Sequence, residues 1–145
     1  MPSAFTISTD PARLNIAVIH DYLSYHSYWA PGISRELVER SIRNSLCFGV
    51  YDANGQQVGF ARVVSDRATF AYLCDVFVLE AYRGQGLSKL LMQHIMAHPE
   101  LQGLRRWMLG TRDAHTLYEQ FGFTALASPA RFMENARLDP YRQPQ

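Results

Sequence analysis

No stretch of this chain approaches the ~18 consecutive apolar residues of a membrane-spanning helix, so no membrane segment is expected. Cysteine is scarce. Cys47 and Cys74 stand in separate apolar stretches, not in a CxxC pair or a metal-like cluster, which predicts two reduced, buried, unreactive thiols. A surplus of either charge is also missing: 14 Lys and Arg against 13 Asp and Glu give a formal net charge of +1. That balance, with no block of like charges, leaves no electrostatic footprint for nucleic acid. Met1 to Thr9 has neither the basic region nor the apolar stretch of a signal peptide, so a cytoplasmic location is the expectation. Repeats and low-complexity runs are absent, and only Pro140 to Gln145 reads as loose.

What is present is a globular composition, 48% apolar and 12% aromatic over 145 residues, with room for one domain around one sizeable core. Phe5 to Ser8 reads as a short strand, and Asp10-Pro11 as an N-cap with proline at the first helical position. Apolar residues at helical spacing then run through Ile16 to Ser27 until Pro31-Gly32 breaks the pattern. Ser34 opens a second helix with Leu37, Val38 and Ile42 along one edge. From Leu46 the period shortens. Leu46 to Tyr51 and Gln57 to Val64 read as a hairpin closed by Asn54-Gly55 in a type I′ turn, and Thr69 to Leu79 is the longest strand. A helix from Gly86 to Ala97 leads to a strand from Arg105 to Gly110, which should run parallel to the Thr69 strand. A short helix from Asp113 to Phe121 and strands near Phe123 to Leu126 and Phe132 to Arg137 complete the order βααβββαβαββ. His94 and His98 lie one helical turn apart, but Ile95 stands where HExxH has glutamate, so core histidines or a charge near the helix C-terminus are expected, not zinc ligands.

The junction Tyr82-Arg83-Gly84-Gln85-Gly86-Leu87-Ser88 carries the strongest chemical signal, because a strand runs into it and a helix runs out. The first N–H groups of a helix lack intrahelical partners, and the helix dipole adds about half a positive charge, so an anion such as phosphate binds well there. Gly84 and Gly86 allow the positive φ angles that aim successive N–H groups at one point, and Arg83 supplies a cationic fork. Neither the dinucleotide fingerprint nor a P-loop fits the spacing.

The stretch instead resembles motif A of the GNAT superfamily of N-acetyltransferases, Gln/Arg-x-x-Gly-x-Gly/Ala, with Arg83, Gly86 and Ser88 at the fixed positions; Ser88 departs from the pattern. Ala114 to Phe123 resembles the family's motif B, with Tyr118 four residues before Gly122-Phe123 and Thr111 where an asparagine is usual. The element order is similar as well. The resemblance implies an α/β (α+β) fold, with a mixed central sheet of about six to seven strands flanked by about four helices. It implies acetyl-CoA as cosubstrate, its pyrophosphate on Arg83, Gly84, Gln85, Gly86, Leu87 and Ser88. The pantetheine arm would pair with the backbone of Phe77 and Val78 between splayed strands, and Tyr118 would protonate the departing thiolate. Members often pair, so the resemblance also raises a homodimer.

Three further readings combine the residues with what that resemblance implies, including that the loop between the first two helices borders the acceptor. Asp75, placed between Leu73 and Phe77 on the long strand, is the candidate base for the amine; the alternative is an aspartate paired with arginine or turned outward at a bulge. Tyr28 and Trp29, beside the Pro31-Gly32 break, are candidate contacts for a small cationic amine, which aromatic faces attract. The activity expected is acetyl transfer to a primary amine, with no nucleic-acid or membrane partner. Competing with it are a non-catalytic acyl-CoA-binding sensor and a helix-in-groove partner built on Tyr22 to Trp29.

Overall fold

A computed structural model describes residues 4–141. Five strands form one sheet in the order β1-β2-β3-β4-β5: Thr6–Ser8, Leu46–Tyr51, Gln57–Ser65, Phe70–Val78 and Arg106–Leu109. The first four pair antiparallel, and β5 joins β4 in parallel after the crossover helix α3, Leu87–Ala97. On one face α3 packs through Leu87, Leu91, Met92 and Ile95 against Phe48, Val50, Val63 and Leu73. The other face carries α1, Ile16–Tyr25, and α2, Arg35–Arg43, whose Ile19, Leu23 and Val38 meet Cys47, Phe60 and Phe77. Two apolar layers on one sheet leave β2 buried along its whole length.

Several local expectations are revised. Asp10 does cap the Ala12 N–H, but with Pro11 it starts only a 3₁₀ turn, Pro11–Arg13; Asn15 then caps Val18 and opens α1. The β2–β3 loop is not type I′, because of its residues only Gly55 has positive φ. Asp52 fixes it instead, accepting from the N–H groups of Asn54 and Gln56 while its carbonyl accepts from Gly55. The two strands expected after α4, His115–Glu119, do not form, so the sheet has five strands. Pro129 sits instead in a 3₁₀ turn, Pro129–Arg131, and most of the surrounding segment is exposed, so neither backbone pairing nor burial favours a strand there. Tyr141 packs on the α1–α2 layer; 142–145, the rest of the segment expected to be loose, lie outside the described residues. His98 accepts from the Glu100 N–H and meets the Phe48 ring edge-on, while His94 is exposed and not part of the core.

The β3–β4 turn is organised by one carboxylate. Asp66 accepts from the Thr69 hydroxyl and from the N–H groups of Thr69, Ala68 and Phe70. Those bonds hold its carboxyl well below the usual carboxylate range, the Thr69 hydroxyl contributing most. A depressed folded pKa stabilises above the unfolded value, about 3.9, and that contribution is lost as pH falls toward the folded value. The melting-temperature advantage of wild type over Asp66→Asn should therefore be full above about pH 5 and shrink steadily below about pH 4; thermal melts across that range measure it.

Candidate active site

The site begins with one extra residue in β4. Pairing runs Phe60 with Phe77 and then Arg62 with Cys74, so Asp75 and Val76 together oppose Ala61 alone. Asp75 takes the left-handed conformation, φ 53°, as in a bulge that usually calls for glycine. The inserted residue shifts the alternation by one. Leu73 therefore lies on the α3 face and Phe77 on the α1–α2 face, not together as the unbroken pattern predicts. β5 pairs only with Phe70 to Leu73, so beyond the bulge the two parallel strands diverge. A cleft of about 540 Å³ opens between them, lined among others by Tyr28, Trp29, Cys74, Asp75, Arg112 and Tyr118.

Asp75 is held from both sides. Trp29 Nε1 donates to its Oδ1 at 2.8 Å and Arg62 Nε to its Oδ2 at 2.8 Å, while Arg62 Nη1 donates to Ser45 Oγ at 3.1 Å. A left-handed non-glycine residue costs about 1–2 kcal/mol. Hydrogen bonds to a charged group are worth about 1.5–3 kcal/mol each, so the pair more than offsets the strain. The candidate base and one candidate acceptor contact are thus bonded to each other, and Asp75 meets an arginine at a bulge, the alternative raised for it. Arg62 escapes a search for acids and bases. Its signal is a lone charged residue in a largely apolar strand, as conspicuous as the lone aspartate opposite.

Tyr28 faces a different neighbour. Its hydroxyl accepts from the Arg112 backbone N–H at 2.8 Å, and the Arg112 guanidinium lies 4.0 Å from its ring centroid. Arg112 therefore occupies a face that the sequence offered to an acceptor ammonium. Tyr22 is stacked on Phe77 with centroids 4.1 Å apart, so of the Tyr22 to Trp29 segment only Tyr25, His26 and Tyr28 are exposed, and the segment does not present a free apolar helix face. Tyr118 is buried near the C-terminal end of α4, and among the described residues its hydroxyl has no hydrogen-bond partner. Burial pushes its pKa up to about 12, with Tyr28 and Asp113 adding to the shift. Thr111, at the position usual for asparagine, accepts from the N–H groups of Asp113 and Ala114 and so fastens the turn into α4. Cys74 also lines the cleft, but burial pushes its thiol up to about 11 despite the opposing Arg62 charge, so it is no thiolate nucleophile at neutral pH.

At the far end of β4 the chain passes through a 3₁₀ turn, Glu80–Tyr82, into the start of α3. Gly84 and Gly86 have φ of 80° and 78°, and a Cβ at either would meet no atom within 4 Å. No side chain caps α3, so its first N–H groups face an open cavity of about 240 Å³ lined by Arg83, Gly84, Gly86, Leu87, Ser88 and Lys89. Bare amides, two left-handed glycines and free space fit a pyrophosphate. Arg83 is not a free fork, because its Nε donates to the Val78 carbonyl at 3.0 Å and its Nη2 to Tyr22 Oη at 3.1 Å. Lys89, absent from the sequence reading, adds an exposed cation at the same rim. The Gln85 side chain turns back to the Tyr82 carbonyl. Phe77 and Val78 bury their side chains in opposite layers, so only their main chain could meet a ligand, and the Val78 carbonyl already accepts from Arg83.

A cradle at the start of α3 thus lies beside a split between parallel strands, and comparison with known proteins assigns the class. Residues 43–125 match the acetyltransferase (GNAT) domain model. A crystal structure from Xanthomonas campestris pv. campestris, described as an acetyltransferase of the GNAT family, is 52% identical with TM-score 0.95 over 99% of both chains. A Gibberella zeae protein named as an acetyltransferase is 33% identical over 79% of this chain and 75% of that one. A Staphylococcus aureus structure, 24% identical with TM-score 0.73 over 92% of this chain and 99% of that one, shares the fold. The chain belongs to the GNAT acetyltransferases.

Removing the Asp75 carboxylate would leave Arg62 charged and Trp29 without an acceptor. Asp75→Ala should lower unfolding free energy by about 3–5 kcal/mol, and Trp29→Phe by about 1 kcal/mol; chemical denaturation of both variants measures the difference.

Proposed function

We propose that the protein moves an acetyl group from acetyl-CoA to the primary amine of a small acceptor. The observation that carries this reading is a protonated, unpartnered Tyr118 hydroxyl in the same cleft as the Asp75 carboxylate, with the pyrophosphate cradle at the end of the adjoining strand. A purely binding or sensing module has no use for that hydroxyl.

Acetyl-CoA supplies an activated thioester: the amine nitrogen forms the new C–N bond, the C–S bond breaks, and the nitrogen loses one proton while the sulfur gains one. Roughly one amine in a thousand is neutral at pH 7 when its pKa is near 10. Asp75 uses one lone pair on each oxygen for Trp29 and Arg62, and its remaining acceptor directions can hold a water or the amine itself. That fits a base acting at short range or through water, worth about 10² to 10⁴-fold. Complete transfer from Tyr118, at about 12, to a thiolate of ordinary pKa near 8.5 is uphill by roughly 5 kcal/mol. Tyr118 therefore serves as a donor to the charge developing on sulfur, and the nitrogen supplies the net proton. Cys74 stays a thiol, so transfer is direct, without an acetyl-cysteine.

Enzyme-dependent thiol release from acetyl-CoA, screened against amines, amino acids, polyamines and peptides, tests the reading; no release with any of them would favour the sensor. Tyr118→Phe should lower kcat about 10²-fold with acetyl-CoA affinity nearly unchanged. Because Tyr118 stays protonated up to about 12, the wild-type rate should show no alkaline limb from it below about pH 11. Gly86→Val, which forces a β-branched residue into the left-handed region and fills the cradle, should abolish acetyl-CoA binding in calorimetry.

A further inference from the structure

We propose that Arg112 selects acceptors carrying an anionic group, carboxylate or phosphate, alongside the reacting amine; this rests on the acetyl-transfer reading above. Among the residues lining the cleft, Arg112 is the only cation, and the carboxylates are Asp75 and Asp113. Asp75 is already neutralised by Arg62 at 2.8 Å. Asp113 comes no closer to Arg112 than 4.0 Å, with the two side chains 70% and 66% exposed, too far for a hydrogen bond and too wet for a strong pair. Arg112 is thus the cleft's uncommitted charge.

Its posture suits recognition of a planar anion. The backbone N–H is bonded to Tyr28 Oη, and the guanidinium is laid over the Tyr28 ring. That contact, 4.0 Å from the guanidinium carbon to the ring centroid, uses none of the N–H donors, and none of them has a hydrogen-bond acceptor among the described residues. Those donors match carboxylate or phosphate oxygens two at a time. The stack also restricts the side chain before binding, so less rotamer freedom is lost when an anion arrives. A second ammonium on the acceptor would instead meet a like charge where the Tyr28 face is already covered. The reacting amine needs the opposite environment, which Asp75 provides deeper in the same cleft.

The test is thiol release with acceptors of matched amine basicity: β-alanine against propylamine, 2-aminoethyl phosphate against ethanolamine, and putrescine as the dication. Wild type should favour an anionic member at least ~10-fold in kcat/KM, the two pairs distinguishing carboxylate from phosphate. Arg112→Gln should erase that preference by raising the acceptor KM, with kcat and the acetyl-CoA KM little changed, and Arg112→Lys should restore part of it. Failure of both anionic members to outperform their neutral partners in wild type, or use of putrescine as good as that of the better anionic member, would overturn the proposal while leaving acetyl transfer intact, as would a preference that survives Arg112→Gln. If no amine releases thiol, the acetyl-transfer reading fails separately. Titration of intrinsic tryptophan fluorescence with N-acetyl-β-alanine and N-propylacetamide then decides on Arg112: tighter binding of the carboxylate, lost in Arg112→Gln, supports it, and equal binding overturns it.

Discussion

The left-handed turn at Asp75 is the constraint on which the site depends. An extra residue there bends β4 away from β5, so the two parallel strands share four paired positions and then part. The same residue resets the side-chain alternation, sending Val76 and Val78 toward α3 and Phe77 toward α1. An aspartate has no intrinsic reason to stay in that conformation. Trp29 from the α1–α2 loop and Arg62 from β3 hold it, so the cleft's shape is fixed by side chains from two other elements that converge on one carboxylate of β4.

A second brace acts at the other end of β4. Arg83 ties the Val78 carbonyl to the Tyr22 hydroxyl, and Tyr22 is stacked on Phe77, so the start of the cradle is joined to α1 through a short chain of contacts. Positive charge near the cradle is then shared between a partly engaged Arg83 and Lys89, with the bare amides of α3 between them. Preorganised dipoles cost less reorganisation than mobile charges when a ligand binds.

Much of this was legible in the chain and some was not, for physical reasons. Helical periodicity located α1, α2 and α3, and short apolar runs between turn signals located the five strands, of which β2 is buried on both faces. The glycine-rich junction was readable because positive φ leaves a composition signature. The bulge was not, since its left-handed residue is Asp75 and not glycine, and the face of Phe77 was misassigned in consequence. The type I′ turn failed because Asp52 stabilises a competing loop through its side chain, which the Asn54-Gly55 pair outweighs in a local reading. The two C-terminal strands failed because alternation there is short and Pro129 interrupts it. Tyr118 could be found from its spacing to Gly122-Phe123, whereas Arg112 carries no local mark and becomes visible only beside Tyr28, a residue far away in sequence.

The sheet also keeps two histories apart. Most apolar contacts of α3, which presents the donor cradle, lie on one face, and those of α1 and α2, whose loop supplies Tyr28 and Trp29, lie on the other. Outside the Arg83–Tyr22 and Trp29–Asp75 links the two faces have largely separate packing partners, and effects at such sites tend to add. On the function proposed here, a lineage built on this scaffold could change what it acetylates at positions away from those links without relearning how to hold the acetyl donor.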